Sequence, residues 1–340
     1  MHCSPSKYRA PVPIFGKLAK RDLRVTTSDN GKMTANSIFL CVGYVDIEAT
    51  LDGGQAFRWW PTNADSGEDS GYRGVVGRRV VNVTEADGGL IVTPVDGKGP
   101  DGLNHAMLEY LGQDQDLEGF RNRFEDDPCL GPALRGYSGL RVLRQDPWEC
   151  LFSFITSSTS NIPRIKLNVS SVARHLGYSI GSDEQDVTFP EPEVVAKAGE
   201  QFLRDLGFGF RAKYLAPAAE AVSSGRLPLF DLREASYSEA REALIKLHGV
   251  GEKVADCVLA FSLDKPDSFI VDRHILRALH KWYDVPEKAS LTYAADWARD
   301  YFGDHAALAN QYMFHRERLS RRASEWGGTH VERALPEDGN

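Results

Sequence analysis

The sequence predicts an α+β fold, a small N-terminal antiparallel β-sheet followed by a larger helical domain. Two observations lead there. From about residue 38 to 95 the apolar segments are short, rich in Val, Ile and Tyr, and divided by glycine. From about Leu103 onward the apolar spacing takes the helical period. No internal repeat or low-complexity tract breaks this two-part order across the 340 residues.

Taken along the chain, residues 1–24 hold six basic residues (Lys7, Arg9, Lys17, Lys20, Arg21, Arg24) and one acid, Asp22. They form no clear amphipathic helix, so residues 1–36 are expected to be a disordered extension rather than a targeting peptide. Met33 is a second candidate start. Strands are expected at 38–47, 56–60, 72–76, 79–84 and 89–94, with a hairpin turn at Ala86-Asp87-Gly88-Gly89 and a polar, acidic loop over 63–71. These elements, with flanking helices, make a sheet domain over 37–127.

The helical domain is expected over 128–322, with a polar tail at 323–340. Asp146-Pro147 reads as a helix start, Asp as N-cap and Pro at the first helical position. Ser236-x-x-Glu239 can form a capping box. The helix it opens carries Ala240, Leu244 and Leu247 on one face and is expected to stop at Gly249. Further helices are expected at 164–176, 212–223, 251–262, 273–282, 291–302 and 305–320.

Composition narrows the function classes. The longest apolar stretch is 38–45, far short of the ~20 residues a membrane span needs, and no apolar signal region follows the first basic residues. The five cysteines, at 3, 41, 129, 150 and 257, are odd in number and widely spaced, with no CxxC pair. A disulfide framework, a structural zinc site and a four-cysteine cluster are therefore not expected, and the usage fits a reducing compartment. The net charge of −8 argues at first against a polyanionic partner. The acidity is local, however: residues 44–127 carry 17 acids and 7 basic residues, while 128–182 carry 6 basic residues and 2 acids. A positive face remains open to the helical part.

The stretch Leu247-His248-Gly249-Val250-Gly251-Glu252-Lys253-Val254-Ala255-Asp256-Cys257 is the most informative. One helix ends, two glycines flank a valine, and a second helix begins at once. Such a turn exposes backbone N–H groups together at a positive helix N-terminus, a seat for a phosphate. It equally suits an ordinary αα-hairpin whose glycines serve the turn alone. Lys253 falls in the first turn of the second helix, where the dipole disfavours a cation; a lysine kept neutral there can act as a nucleophile and form a Schiff base. A solvated surface lysine is the plainer reading. Asp272 follows 19 residues later, after Phe269-Ile270-Val271, at the start of another helix. It can serve as an N-cap, as a functional carboxylate, or as both.

Leu-x-Gly-Val-Gly-x-Lys-x-Ala-Asp-Cys followed by Val-Asp-x-His resembles the helix–hairpin–helix glycosylases that excise damaged bases from DNA, and most closely the 8-oxoguanine DNA glycosylase family. Other segments agree in order: Gly54-Gln55-Ala56-Phe57-Arg58-Trp59, Arg144-Gln145-Asp146-Pro147, Glu149-Cys150-Leu151-Phe152-Ser153-Phe154, Asn161-Ile162-Pro163-Arg164-Ile165, Leu206-Gly207-Phe208-Gly209-Phe210-Arg211-Ala212 and Asp264-Lys265-Pro266. The resemblance runs from about residue 38 to 318.

The resemblance implies specific roles. Lys253 matches the lysine nucleophile and Asp272 the aspartate that assists glycosidic cleavage. Gly54 matches the glycine whose carbonyl accepts the N7 hydrogen of the oxidised guanine. Cys257 matches a cysteine of the base pocket, one turn beyond Lys253 on the same face, and Phe314 the aromatic that stacks on the flipped base. Arg164 and Arg211 match the arginines that hold the opposite cytosine, Phe210 a wedge that is usually tyrosine, and His274 a phosphate-contacting histidine. Gly249, Val250 and Gly251 would grip a phosphate through the backbone.

Three positions depart from the family pattern. Thr159 stands where an asparagine commonly fills the vacated gap, and His248 where a proline is common. Asn310 stands where an ungapped match puts the base-reading glutamine, with Gln311 beside it; either amide can reach Phe314's face of a helix.

The implied reaction is base flipping, at about a few kcal/mol, followed by attack of Lys253 on C1′, a Schiff base and strand nicking by β-elimination. No cofactor or metal is implied. The implied partner is double-stranded DNA containing oxidised guanine, bound by a monomer inside the cell with the genomic DNA and away from membranes. A superfamily glycosylase for another damaged base is the alternative. A non-catalytic DNA-binding protein using only the hairpin would not need Lys253 and Asp272 together, nor the Gly54 and Phe314 segments.

Overall fold

A computed structural model describes residues 36–62 and 71–326, all within one compact unit. The expected extension, most of the 63–71 loop and the tail beyond residue 326 lie outside the described residues.

Five strands, β1 (Ile38–Leu40), β2 (Trp59–Thr62), β3 (Gly71–Val76), β4 (Arg79–Ala86) and β5 (Gly89–Pro94), form one antiparallel sheet in the order β1-β5-β4-β3-β2. A short helix α1 (Ile47–Leu51) sits between β1 and β2. The hairpin expected at 86–89 joins β4 to β5, with Ala86 opposite Gly89. Leu40, Trp59, Val81, Val92 and Met107 share the buried core beneath the sheet.

The helices follow in order: α2 (Leu103–Tyr110), α3 (Leu117–Phe124), α4 (Gly131–Gly136), α5 (Pro147–Thr156), α6 (Ile162–Leu176), α7 (Pro192–Leu203), α8 (Ala212–Ser223), α9 (Tyr237–Ile245), α10 (Glu252–Ser262), α11 (Arg273–Trp282), α12 (Leu291–Phe302) and α13 (Ala306–Trp326). They enclose a second, larger core that includes Phe152, Phe208, Val258 and Phe302. α10 packs on both α5 and α9, and its residues from Val254 to Ser262 are all buried, so the hairpin helix is held at fixed depth. No described helix is long and apolar enough to cross a membrane.

Local chemistry accounts for most starts. Asp146 Oδ1 accepts from the N–H groups of Trp148 and Glu149 at 2.9 Å, opening α5 at Pro147. The Ser236–Glu239 capping box opens α9.

Four expectations need correction. The first strand stops at Leu40 instead of 47: Gly43 follows with φ +68° and its N–H bonded to the Gly88 carbonyl at 3.2 Å, and Asp46 then caps α1 through the Ala49 N–H at 2.9 Å. The second strand starts at Trp59 rather than 56. Just before it, Gln55 turns its side chain inward, donating to the Thr50 and Arg141 carbonyls (2.9 and 2.8 Å) while Leu143 N–H donates back to it (2.8 Å). This segment leaves the ladder to cross the protein interior. α9 ends at Ile245, ahead of Gly249, and the chain then turns through a Val250 N–H to Leu247 carbonyl bond. α7 was not anticipated; its helical dihedrals break at Gly199, which obscures the period.

Candidate active site

The hairpin geometry requires glycine at Gly249 twice over: its φ is +93°, and a Cβ there would lie 2.3 Å from the Tyr214 ring. Val250 is buried and anchors the turn, whereas Gly251 is exposed with open space around its Cα. Gly251 is the N-cap of α10 and supplies no capping side chain, so the first-turn N–H groups face outward without a side-chain acceptor from the cap.

Lys253, the second residue of α10, is exposed and lines a cavity of about 510 Å³. One turn further, Cys257 is buried and lines the same cavity. Burial pushes its thiol up to about 12, and the charges of Lys253 and Asp272 act on it in opposite senses. It therefore offers the cavity a neutral thiol.

Asp272 reaches the cavity as the N-cap of α11: its Oδ1 accepts from the N–H groups of His274 and Ile275, both at 2.8 Å. Asp272 is thus an N-cap whose carboxylate also borders the cavity. His274 also lines the cavity, with Nδ1 2.7 Å from Arg277 Nη2.

The opposite wall comes from the loop before β2 and from α13. Gly54 has φ +86°, and a Cβ there would stand 2.9 Å from Ile162 Cδ1 and 3.1 Å from Phe314 Cε1. The cavity narrows here to a slot that only glycine leaves open. The carbonyls around Gly54 are taken: Arg318 donates to that of Asp52, Gln311 to that of Gly53 at 3.2 Å, and Gln145 to that of Gln55 at 2.8 Å. The Gly54 carbonyl accepts no hydrogen bond from any described residue. Asn310 and Gln311 are both buried cavity-lining residues. Asn310 Nδ2 donates to the Ile270 carbonyl at 2.8 Å, so each amide is held by a backbone carbonyl through its nitrogen.

The remaining expected residues form a separate edge. Arg211 donates from Nε and Nη2 to the carbonyls of Ser158 and Thr159, each at 2.7 Å, and its guanidinium lies 4.7 Å from the centroid of the exposed Phe210 ring. Arg164 donates to the Gly207 carbonyl at 3.3 Å; burial, and then the Arg164 charge, pull the Arg211 guanidinium's pKa below its ordinary value. Thr159 is exposed at φ +52°, a conformation asparagine tolerates better than a β-branched residue. Arg211 holds the carbonyls on both sides of that strained position.

Thr159, Arg164, Phe210, Arg211 and the Gly249–Gly251 turn do not line the cavity, while Lys253, Asp272, Gly54, Cys257, Asn310, Gln311, Phe314 and His274 do. Four charged cavity residues were missed: Asp52, Lys166, Glu317 and Arg318. Two carried a signal, since Lys166 is four residues beyond Ile162 on α6 and Arg318 four beyond Phe314 on α13. Among the described residues no group of three or more His, Cys, Asp or Glu is placed to hold a metal ion.

Comparison with known proteins agrees with this architecture. The family model for the 8-oxoguanine DNA glycosylase N-terminal domain matches residues 37–151, and that for the HhH-GPD superfamily of base excision DNA repair proteins matches residues 153–296. The chain is 36% identical over 239 residues to the N-glycosylase/DNA lyase OGG1 of Arabidopsis thaliana, covering 67% of this chain and 64% of that one. It is 30% identical over 278 residues to the N-glycosylase/DNA lyase of Saccharomyces cerevisiae, covering 75% and 71%. Among solved structures it is similar to the 8-oxoguanine glycosylase/lyase of Clostridium acetobutylicum in complex with double-stranded DNA containing cytosine opposite 8-oxoG. That match has a TM-score of 0.76 and 28% identity, and covers 82% of this chain and 93% of the other. The sheet-plus-hairpin architecture defines a base excision glycosylase fold, and the chain belongs to the 8-oxoguanine DNA glycosylase family.

Proposed function

We propose that the protein is a bifunctional DNA glycosylase and abasic-site lyase that excises 8-oxoguanine opposite cytosine in duplex DNA. The observation that carries this reading is one cavity with two differently equipped walls. Lys253, Cys257 and Asp272 stand on one; Gly54, with its unbonded carbonyl, and Phe314 stand on the other.

8-Oxoguanine differs from guanine in carrying a hydrogen on N7 and an oxygen on C8. At N7 guanine presents an acceptor and the oxidised base a donor, which complements the Gly54 carbonyl. Phe314 supplies a ring face for the flipped base, and an amide of Asn310 or Gln311 offers a donor and an acceptor to its Watson–Crick edge. On the outer edge, Phe210 wedges the stack while Arg164 and Arg211 donate to the estranged cytosine. Thr159 fills the gap left by the flipped base. The hairpin N–H groups of Gly249–Gly251 and His274 bind backbone phosphates.

In the chemical step the amine of Lys253 attacks C1′. The C1′–N9 bond breaks, the electron pair leaves with the base, and the base takes up the proton that the attacking amine releases. The Asp272 carboxylate stabilises the positive character at the sugar as that bond lengthens. The nitrogen lone pair then forms the C1′=N bond as the C1′–O4′ bond breaks, O4′ takes a proton from water, and a protonated Schiff base results. Loss of a C2′ proton expels the 3′ phosphate by β-elimination and nicks the strand. A single chain supplies every residue in this scheme, consistent with a monomer acting on genomic DNA inside the cell. The test is strand nicking on duplexes with one 8-oxoguanine opposite each of the four bases: cleavage fastest opposite cytosine supports the reading, and no excision of 8-oxoguanine in any pair overturns it.

A further inference from the structure

The segment that presents Gly54 is tied down by side chains that neither the sequence nor the chemistry above assigns. Lys166 Nζ lies 2.5 Å from Asp52 Oδ1 and donates to the Trp59 carbonyl at 3.2 Å, bridging the two ends of the loop that contains Gly54. Arg318 donates to the Asp52 carbonyl from the other side. Both cations are only partly exposed and lie at the rim formed by α6 and α13. Gly53 and Gly54 are consecutive glycines, the most permissive backbone pair available. Gln311 and Gln145 hold the carbonyls of Gly53 and Gln55 on either side of Gly54, and Lys166 and Arg318 anchor the start of the segment at Asp52.

We propose that Lys166 and Arg318 are positioning residues for base discrimination, clamping the Asp52–Gly54 segment so that the Gly54 carbonyl cannot turn away from the base. The inference rests on the reading that this carbonyl meets N7. Its physical basis is the rejected base rather than the accepted one. Guanine presents a lone pair at N7, and a fixed carbonyl repels it. A carbonyl free to rotate relieves that repulsion at little cost, so discrimination needs rigidity as well as a hydrogen-bond acceptor.

The test uses the full chain with Lys253→Gln, which removes turnover, and measures Kd for duplexes carrying 8-oxoguanine or guanine opposite cytosine. Lys166→Met keeps the aliphatic stem and removes the donors; Lys166→Arg keeps a cation with donors. The parent is expected to prefer the 8-oxoguanine duplex. Lys166→Met should reduce that preference about tenfold, the factor that corresponds to one hydrogen bond, and Lys166→Arg should restore most of it. An unchanged preference in Lys166→Met overturns the clamp, as does an equal weakening of both duplexes, which marks a structural role only. So does an Arg variant as poor as Met. A parent with no preference would instead defeat the reading of Gly54 itself, before the clamp is tested.

Discussion

Asn310 donates its amide to the carbonyl of Ile270 at 2.8 Å, two residues before Asp272. The helix that carries the candidate base-reading amide is thereby bonded to the segment that delivers the candidate catalytic carboxylate. Asn310 is one methylene shorter than glutamine, and this bond fixes its amide plane.

Asn310→Ala is expected to slow single-turnover excision of 8-oxoguanine far more than Gln311→Ala. It also leaves the buried Ile270 carbonyl without its partner, at about 1–3 kcal/mol of stability. The reverse ranking of rates moves base reading to Gln311, and two unaffected variants remove both residues from it.

Asp272→Asn retains an N-cap, because Asn and Asp cap about equally well. The melting temperature should hardly move, while base excision slows by about a hundredfold or more. A large drop in melting temperature with near-normal excision would leave Asp272 only the structural part of its role.

Asp256 gives a pH signature. It is buried on α10, where desolvation pushes its carboxyl up to about 6 despite the Tyr237 hydroxyl at 2.8 Å and the Arg241 and Arg299 charges. Its folded value lies above the unfolded one. Its contribution to stability is therefore full below about pH 4 and is lost as pH rises through about 6. Asp256→Asn should flatten that part of the stability profile, with a change of roughly 2–3 kcal/mol. Urea unfolding between pH 4 and 7 measures it; an identical slope in the variant contradicts the assignment.

Arg211→Ala removes two bonds to the carbonyls of Ser158 and Thr159 as well as a donor for the opposite base. Discrimination among opposite bases should fall by about 1–3 kcal/mol, read as the ratio of excision rates opposite cytosine and adenine. A ratio that does not change removes Arg211 from opposite-base reading.

What the sequence made legible was local. The Asp146-Pro147 start, the Ser236–Glu239 capping box and the Gly249 turn are each specified by residues a few positions apart, and the structure has all three. The one-turn spacing of Lys253 and Cys257 likewise follows from a helix alone. Helical spacing hints at Lys166 and Arg318 singly, but their meeting with Asp52 is not legible, because the three are separated by 114 and more residues and come together only when α1, α6 and α13 pack. The first strand is shorter than its apolar run because the backbone turns at Gly43 and Asp46 then opens α1, roles that look no different in sequence from those of any loop glycine or exposed acid.

The central claim is that the amine of Lys253 forms the covalent intermediate. Borohydride reduction during reaction with a duplex carrying 8-oxoguanine opposite cytosine tests it most directly. The unmutated protein should yield a covalent protein–DNA adduct, and Lys253→Gln should yield none while still binding the same duplex. An adduct that persists in Lys253→Gln, or its absence from an unmutated protein that nicks the strand, contradicts the account.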